Sequence, residues 1–223
     1  MLAWWHSNSA GAATHRTGRT RVSTARIHRP IEMEIRMSLI DQEIAPFHLN
    51  AYRNGEFVEV DSEDLRGRWN VIMFYPGDFT FVCPTELADL ADHKAEFDAL
   101  GVDLYSASTD SHFVHKAWHD DSDAVGKVTY TMLADMTLSL SRAFDVLDEE
   151  AGQAMRGTFL IDPDLKVRTI EIHDSGIGRD AKELLRKVKA AQYIYNHPGE
   201  VCPAHWEEGD ATLSPSLDLV GKI

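Results

Sequence analysis

Only two cysteines occur in the 223 residues, Cys83 and Cys202. One pair is too few to replace a hydrophobic core, which excludes a disulfide-held secreted scaffold. A single structural bridge stays open at this point. The two are far apart in sequence, so no Cys-x-x-Cys occurs, which argues against a thioredoxin-type dithiol site. Positive charge is also scarce, with 22 Lys and Arg against 36 Asp and Glu and a net charge of −14. A chain so acidic offers no broad basic face, and nucleic acid is not an expected partner. No apolar run approaches the roughly 18 residues a membrane-crossing helix needs, so no membrane association is expected. No secretory leader is visible. What the chain does have is a 43% hydrophobic content, suited to one compact domain with appendages.

Residues 1–36 differ from the rest. They hold six Arg, no Lys and two acidic residues, leaving 16 basic and 34 acidic residues for 37–223. This segment has no sustained hydrophobic period, so disorder is its default reading, and its Arg-rich composition resembles an organellar transit peptide. The plainer expectation is a start codon assigned too far upstream, with Met37 as the true beginning.

From Met37 on, strand and helix patterns alternate. Val71–Tyr75 reads as a continuous apolar strand. Glu86–Leu100 reads as one amphipathic helix with Leu87, Leu90, Ala91, Phe97 and Leu100 on its buried face and Gly101 as its C-cap. Val102–Ser108 is a strand, His112–His119 a short helix, Tyr130–Leu133 a strand and Leu138–Phe144 a helix. Thr158–Asp162 and Val167–Ile172 form an antiparallel pair around Asp162-Pro163-Asp164. Asp180 caps a last long helix whose buried stripe is Leu184, Val188, Ala191 and Ile194. Such an order argues for an α/β domain, a central mixed sheet flanked by helices.

Both cysteines lie in the same tripeptide, Val82-Cys83-Pro84 and Val201-Cys202-Pro203. Cys83 falls where a strand gives way to a helix, and Cys202 in a Pro- and Gly-rich tail expected to be mobile. Unpaired amides and the dipole at a helix start favour thiolate over thiol. Pro84 suits the first turn, where a missing N–H costs nothing. Thr80, three residues earlier, places a hydroxyl within one turn of the sulfur, and Pro76 shields the strand end from water. A cation is still needed, and Arg156 is the best placed by sequence. A cysteine hydrolase would require a His base beside Cys83, but no hydrolase signature surrounds it. His112, His115 and His119 share a helix face and invite a zinc reading, against which interface or surface histidines are the better account. Gly176-Ile177-Gly178-Arg179 lacks the Lys-Ser/Thr ending of a phosphate loop and reads as a turn. Trp118 reads as packing near the site.

The runs FYPGDFTFVCPTEL, RGTFLIDP, GIGRDAKELLRK and HPGEVCPAHWEEG resemble the typical two-cysteine peroxiredoxins. The closing SLDLVGKI is similar to the bacterial branch that serves as the peroxidase subunit of alkyl hydroperoxide reductase. The resemblance covers residues 37–223 and none of 1–36. It implies a thioredoxin-like fold, with a peroxidase domain over 37–198 and a tail over 199–223 carrying the resolving cysteine. It implies peroxidatic Cys83, resolving Cys202 from the partner chain of a homodimer, and Pro76, Thr80 and Arg156 completing the site. No bound cofactor is implied. Reducing equivalents would come from NADH or NADPH through a separate flavoprotein disulfide reductase, the companion component of alkyl hydroperoxide reductase, or from a thioredoxin-like reductant. A decamer of five dimers, a cytoplasmic location and, in some members, chaperone-like holding of clients are further family expectations.

Overall fold

Every residue of the run Trp69–Phe74 is buried, as a strand covered on both faces requires. It is the third strand of the computed structural model, which describes residues 38–222. The expectations for residues 1–36 lie outside these. In chain order the strands are β1 (His48–Arg53), β2 (Glu56–Asp61), β3 (Trp69–Phe74), β4 (Val102–Ser108), β5 (Thr131–Ala134), β6 (Leu147–Asp148), β7 (Gln153–Ala154), β8 (Arg156–Ile161) and β9 (Val167–His173). The helices are α1 (Cys83–Asp92), α2 (Lys94–Ala99), α3 (His112–Asp121), α4 (Ser139–Ala143) and α5 (Ala181–Asn196).

Seven strands form one mixed sheet in the order β2-β1-β5-β4-β3-β8-β9. β3, β4 and β5 run parallel, and β8, β9, β1 and β2 add antiparallel flanks. The period of two along β3 divides the core. Val71 and Met73, followed by Tyr75, join Leu87, Trp118, Leu184 and Val188 under α1, α3 and α5, while Ile72 and Phe74 join Leu140, Phe144 and Phe159 on the other face. The mixed sheet flanked by helices agrees with the sequence reading.

Three local differences have physical causes. The helix expected over 86–100 is two helices, broken at His93, whose backbone N–H and ring Nδ1 both turn to the Asp89 carbonyl. Leu90 and Phe97 still share a face because they are seven residues apart, so the buried stripe survives the break. The helix expected from Leu138 begins one residue later. Leu138 sits at φ 61°, and the Asp135 carboxylate caps the start by accepting from the amides of Leu140 and Ser141 at 3.0 and 2.7 Å. The hairpin β1–β2 has no counterpart in the expected elements. Asn54 and Gly55 form its two-residue turn at φ 46° and 95°, the left-handed pair such a turn requires.

The tail is more firmly held than its composition suggests. Val201 and Leu213 exchange backbone hydrogen bonds of 2.9 and 3.0 Å. Trp206 is buried, with its ring 5.1 Å from that of Tyr193 on α5.

Candidate active site

α1 begins at Cys83 with Pro84 next, and its cap residue Val82 contributes no side-chain hydrogen bond. The Thr85 and Glu86 amides turn back to the Val82 carbonyl at 3.0 and 3.3 Å, so what the helix start offers the sulfur is the positive end of its dipole. Cys83 is fully buried. One turn on, Glu86 points inward from the same face and is only 3% exposed.

Two arginines meet that carboxylate. Arg156, the first residue of β8, directs Nη1 at Cys83 Sγ (3.3 Å) and at Glu86 Oε2 (2.7 Å), while its Nε donates to the Ser175 carbonyl at 2.8 Å. Arg179 donates from Nε to Glu86 Oε1 at 2.8 Å, from Nη2 to Oε2 at 3.0 Å, and from its backbone N–H to Oε1 at 3.0 Å. Its Nη1 is held by the Gly157 carbonyl (2.9 Å) and Thr158 Oγ1 (3.1 Å). Burial pushes the Glu86 carboxyl up, but the bonds and charge from Arg179, with the charge of Arg156, outweigh it and hold the group below the usual carboxylate range. Two guanidinium groups against one carboxylate leave one positive charge, and Cys83 is the group it faces.

Of the residues singled out in the sequence, Arg156 is in hydrogen-bond contact with Cys83. Thr80 lies in the connection before α1, and its hydroxyl donates to the Gly77 carbonyl at 2.7 Å, leaving its oxygen free to accept. Pro76 is half-buried at the end of β3. Glu86 and Arg179 were not foreseen as site residues. The available signal was a carboxylate three residues after Cys83, on a helix face otherwise apolar, where only a cation could hold it.

Cys202 is elsewhere. Both cysteines are free thiols. Cys202 is half-buried with Sγ 3.9 Å from the Ala190 carbonyl, at a cavity of about 620 Å³ lined by Arg168 and Thr169 of β9 and Arg186, Ala190 and Ile194 of α5. Burial first and then the Glu200 carboxylate push its thiol up, with Arg186 partly offsetting them.

The three histidines of α3 diverge. His115 bonds Asp78 and the Leu133 carbonyl, and His119 bonds Tyr52 and the Val128 carbonyl. The His112 ring lies tilted against that of Phe113, ring centroids 4.1 Å apart. Trp118 is buried between Tyr75 and Phe79.

Residues 40–170 match the AhpC/TSA family. Alkyl hydroperoxide reductase C of Bacillus subtilis (strain 168) is 61% identical over 187 residues, 84% of this chain and 100% of that protein. The protein of that name from Escherichia coli (strain K12) is 58% identical over the same shares of the two chains. Among solved structures, Enterococcus faecalis AhpC is 48% identical with a TM-score of 0.73, covering 75% of this chain and 100% of its own. The reduced 2-Cys peroxiredoxin of Plasmodium vivax is 32% identical with a TM-score of 0.78, covering 82% and 96%.

Proposed function

The chain belongs to the AhpC/TSA family as a thiol-dependent peroxidase of thioredoxin-like fold, and from that premise we propose that Cys83 is the sulfur that attacks the peroxide. The observation that carries this reading is the unbalanced guanidinium charge held against a buried Cys83 at a helix start. That charge stabilises negative sulfur in the resting site and the oxygen that becomes negative during attack.

In this reading the Cys83 thiolate attacks one oxygen of the hydroperoxide. The S–O bond forms as O–O breaks, sulfur is oxidised to a sulfenic acid, and the leaving oxygen takes a proton to become water or an alcohol. Arg156 and Thr80 align the O–O bond, Arg156 by donating and Thr80 by accepting, and Pro76 keeps water from the strand end. Glu86 and Arg179 hold Arg156 in place. The Cys202 thiol of the partner subunit then attacks the sulfenic sulfur, releasing water and leaving a disulfide between the two chains. Support for a second chain comes from the separate surroundings of the two thiols, one against Arg156 and one against α5 and β9. The first turn of α1 must unwind for Cys83 to be reached.

A dithiol reductant reopens the bridge by exchange. We assign this step to a separate flavoprotein disulfide reductase supplied by NADH or NADPH, or to a thioredoxin-like protein. The activity belongs in the cytoplasm, where such reductants keep thiols open. The working unit is a homodimer assembled as a decamer, with residues 37–198 as the peroxidase domain and 199–223 as the resolving tail.

Mixing two variants tests the cross-chain step. Cys83→Ser and Cys202→Ser, each alone with peroxide, should stay monomeric on a denaturing gel without reductant. The mixture should give a covalent dimer that reductant abolishes. No covalent dimer in the mixture, with an internal bridge in the wild type, would overturn it.

A further inference from the structure

Phe79, in the connection between β3 and α1, lies at φ +55°, a left-handed conformation that strains an aromatic residue. Such strain persists only where the flanking residues are fixed from outside. Thr80 on one side is tied back to the Gly77 carbonyl. Asp78 on the other has a side chain with no exposure at all. Its Oδ1 accepts from Tyr75 Oη at 2.7 Å, its Oδ2 lies 2.8 Å from His115 Nδ1, and its backbone N–H donates to Asp110 Oδ2 at 2.9 Å. Asp110 is itself held by the Ser108 hydroxyl at 2.8 Å. The Phe79 ring rests 5.9 Å from that of Trp118, one turn beyond His115 on α3.

The bonds of His115 settle where protons lie. Nε2 is 3.1 Å from the Leu133 carbonyl, which can only accept, so Nε2 carries a hydrogen. Nδ1 faces Asp78, so one further proton lies between Asp78 and His115, whichever of the two holds it. The imidazole is thus fixed at both ends, to β5 and to the loop. The peroxide chemistry above uses none of these groups, although all of them are buried and polar.

We propose that Tyr75, Asp78 and His115 form a positioning clamp that holds Pro76–Thr80 so that the Thr80 hydroxyl meets the hydroperoxide bound at Cys83. Asp78 and His115 are positioning residues in this account, acting through the backbone of Phe79 and Thr80. The clamp rests on the reading of Cys83 as the attacking sulfur.

Conservative and disruptive changes at Asp78 separate positioning from bulk stability. In Asp78→Asn every bond can be kept: the amide oxygen accepts from Tyr75, and the amide N–H donates to a neutral His115 that still donates to Leu133. Asp78→Ala removes the carboxylate that ties Tyr75 Oη and His115 Nδ1 to the loop, leaving those two atoms only their long 3.5 Å approach to each other. Both are made in a Cys202→Ser background, where Cys83 is the one thiol. Stopped flow gives the second-order constant for hydrogen peroxide, and ultraviolet thiolate absorbance against pH gives the Cys83 titration. Asp78→Ala should slow attack at least about tenfold with the titration unmoved, and Asp78→Asn should stay within about threefold of the parent. The proposal is overturned if Asp78→Ala reacts at the parent rate, if Asp78→Asn is as slow as Asp78→Ala, or if slowing comes with a displaced titration.

Should Asp78→Ala fail to fold, His115→Asn and His115→Gln decide. Asn keeps the donor towards Asp78 and should react within about threefold of the parent; Gln reaches Leu133 alone and should be at least about tenfold slower. Equal or reversed rates overturn the clamp. Peroxide consumption by Cys83→Ser would show instead that the underlying reading of Cys83 has failed.

Discussion

Arg156 Nη1 lies 3.3 Å from Cys83 Sγ, joining residues 73 apart in sequence. The same nitrogen donates to Glu86, so the arginine is aimed by a carboxylate one turn along the sulfur's own helix. Aim and charge are therefore set together.

Arg156→Ala should slow peroxide attack roughly a hundredfold or more, the usual loss when a preorganised donor is removed from a developing negative charge. The fold should persist, because Glu86 keeps three bonds from Arg179. Stopped flow under excess peroxide, with circular dichroism as the control, measures both. An unchanged second-order constant would mean that another cation serves the sulfur.

The first half of this arrangement was legible in the sequence and the second was not. Pro84 marks a helix start from local rules alone, and a thiol just before it is a readable signal. Val102–Ser108 was readable as a strand because its ends coincide with a C-cap glycine and a polar turn. The partnership of Glu86 with Arg179 spans 93 residues and leaves no periodic trace. Arg179 sits in a Gly-rich turn that looks like ordinary loop, and only the fold brings it to α1. The β1–β2 hairpin is a different kind of miss, since Asn54-Gly55 between alternating residues was a usable signal. His93 broke a helix without disturbing its hydrophobic period, so the pattern concealed the break.

Glu86→Gln removes the one negative charge between two buried cations. At neutral pH this should cost about 3–5 kcal/mol, the usual result of breaking a buried pair by deleting one partner. The carboxyl of Glu86 is held below its ordinary value of 4.5 in the folded protein. Its stabilising contribution is therefore complete above that ordinary value and is lost as pH falls through the lower folded one. Urea unfolding from pH 7 downward should show the wild type and Glu86→Gln converging in acid. A constant gap at every pH would rule out the charge as the cause.

Gly157 follows Arg156 in β8 and its carbonyl accepts from Arg179, and a methyl group there has no room. A Cβ would come 2.7 Å from Val146 Cγ1 and 3.0 Å from Phe159 Cε2. Gly157→Ala should destabilise the protein by about 1–3 kcal/mol as β8 shifts to relieve the overlap. Because that strand starts at Arg156, peroxide attack should slow as well. Thermal unfolding and stopped flow check the two effects, and wild-type values in both would mean that Val146 simply turns aside.

Cys202 should be the sluggish thiol in the absence of peroxide. Burial and Glu200 raise its thiol above the ordinary value of 9.0, so little thiolate exists at neutral pH. In Cys83→Ser, alkylation of Cys202 should accelerate about tenfold per pH unit until that raised value is passed. Glu200→Gln should shift the curve to lower pH. A rate independent of pH between 7 and 9 (about two decades of expected change) would contradict this.

The two thiols divide the labour, and one equivalent of hydrogen peroxide tells their roles apart. Intact mass is read after mixing it with Cys202→Ser and with Cys83→Ser, without reductant. Cys202→Ser should consume the peroxide and gain the mass of one oxygen, trapped as sulfenic acid on Cys83. Cys83→Ser should consume none on the same timescale and keep its mass. Rapid consumption by Cys83→Ser, with the oxygen found on Cys202, would contradict the account.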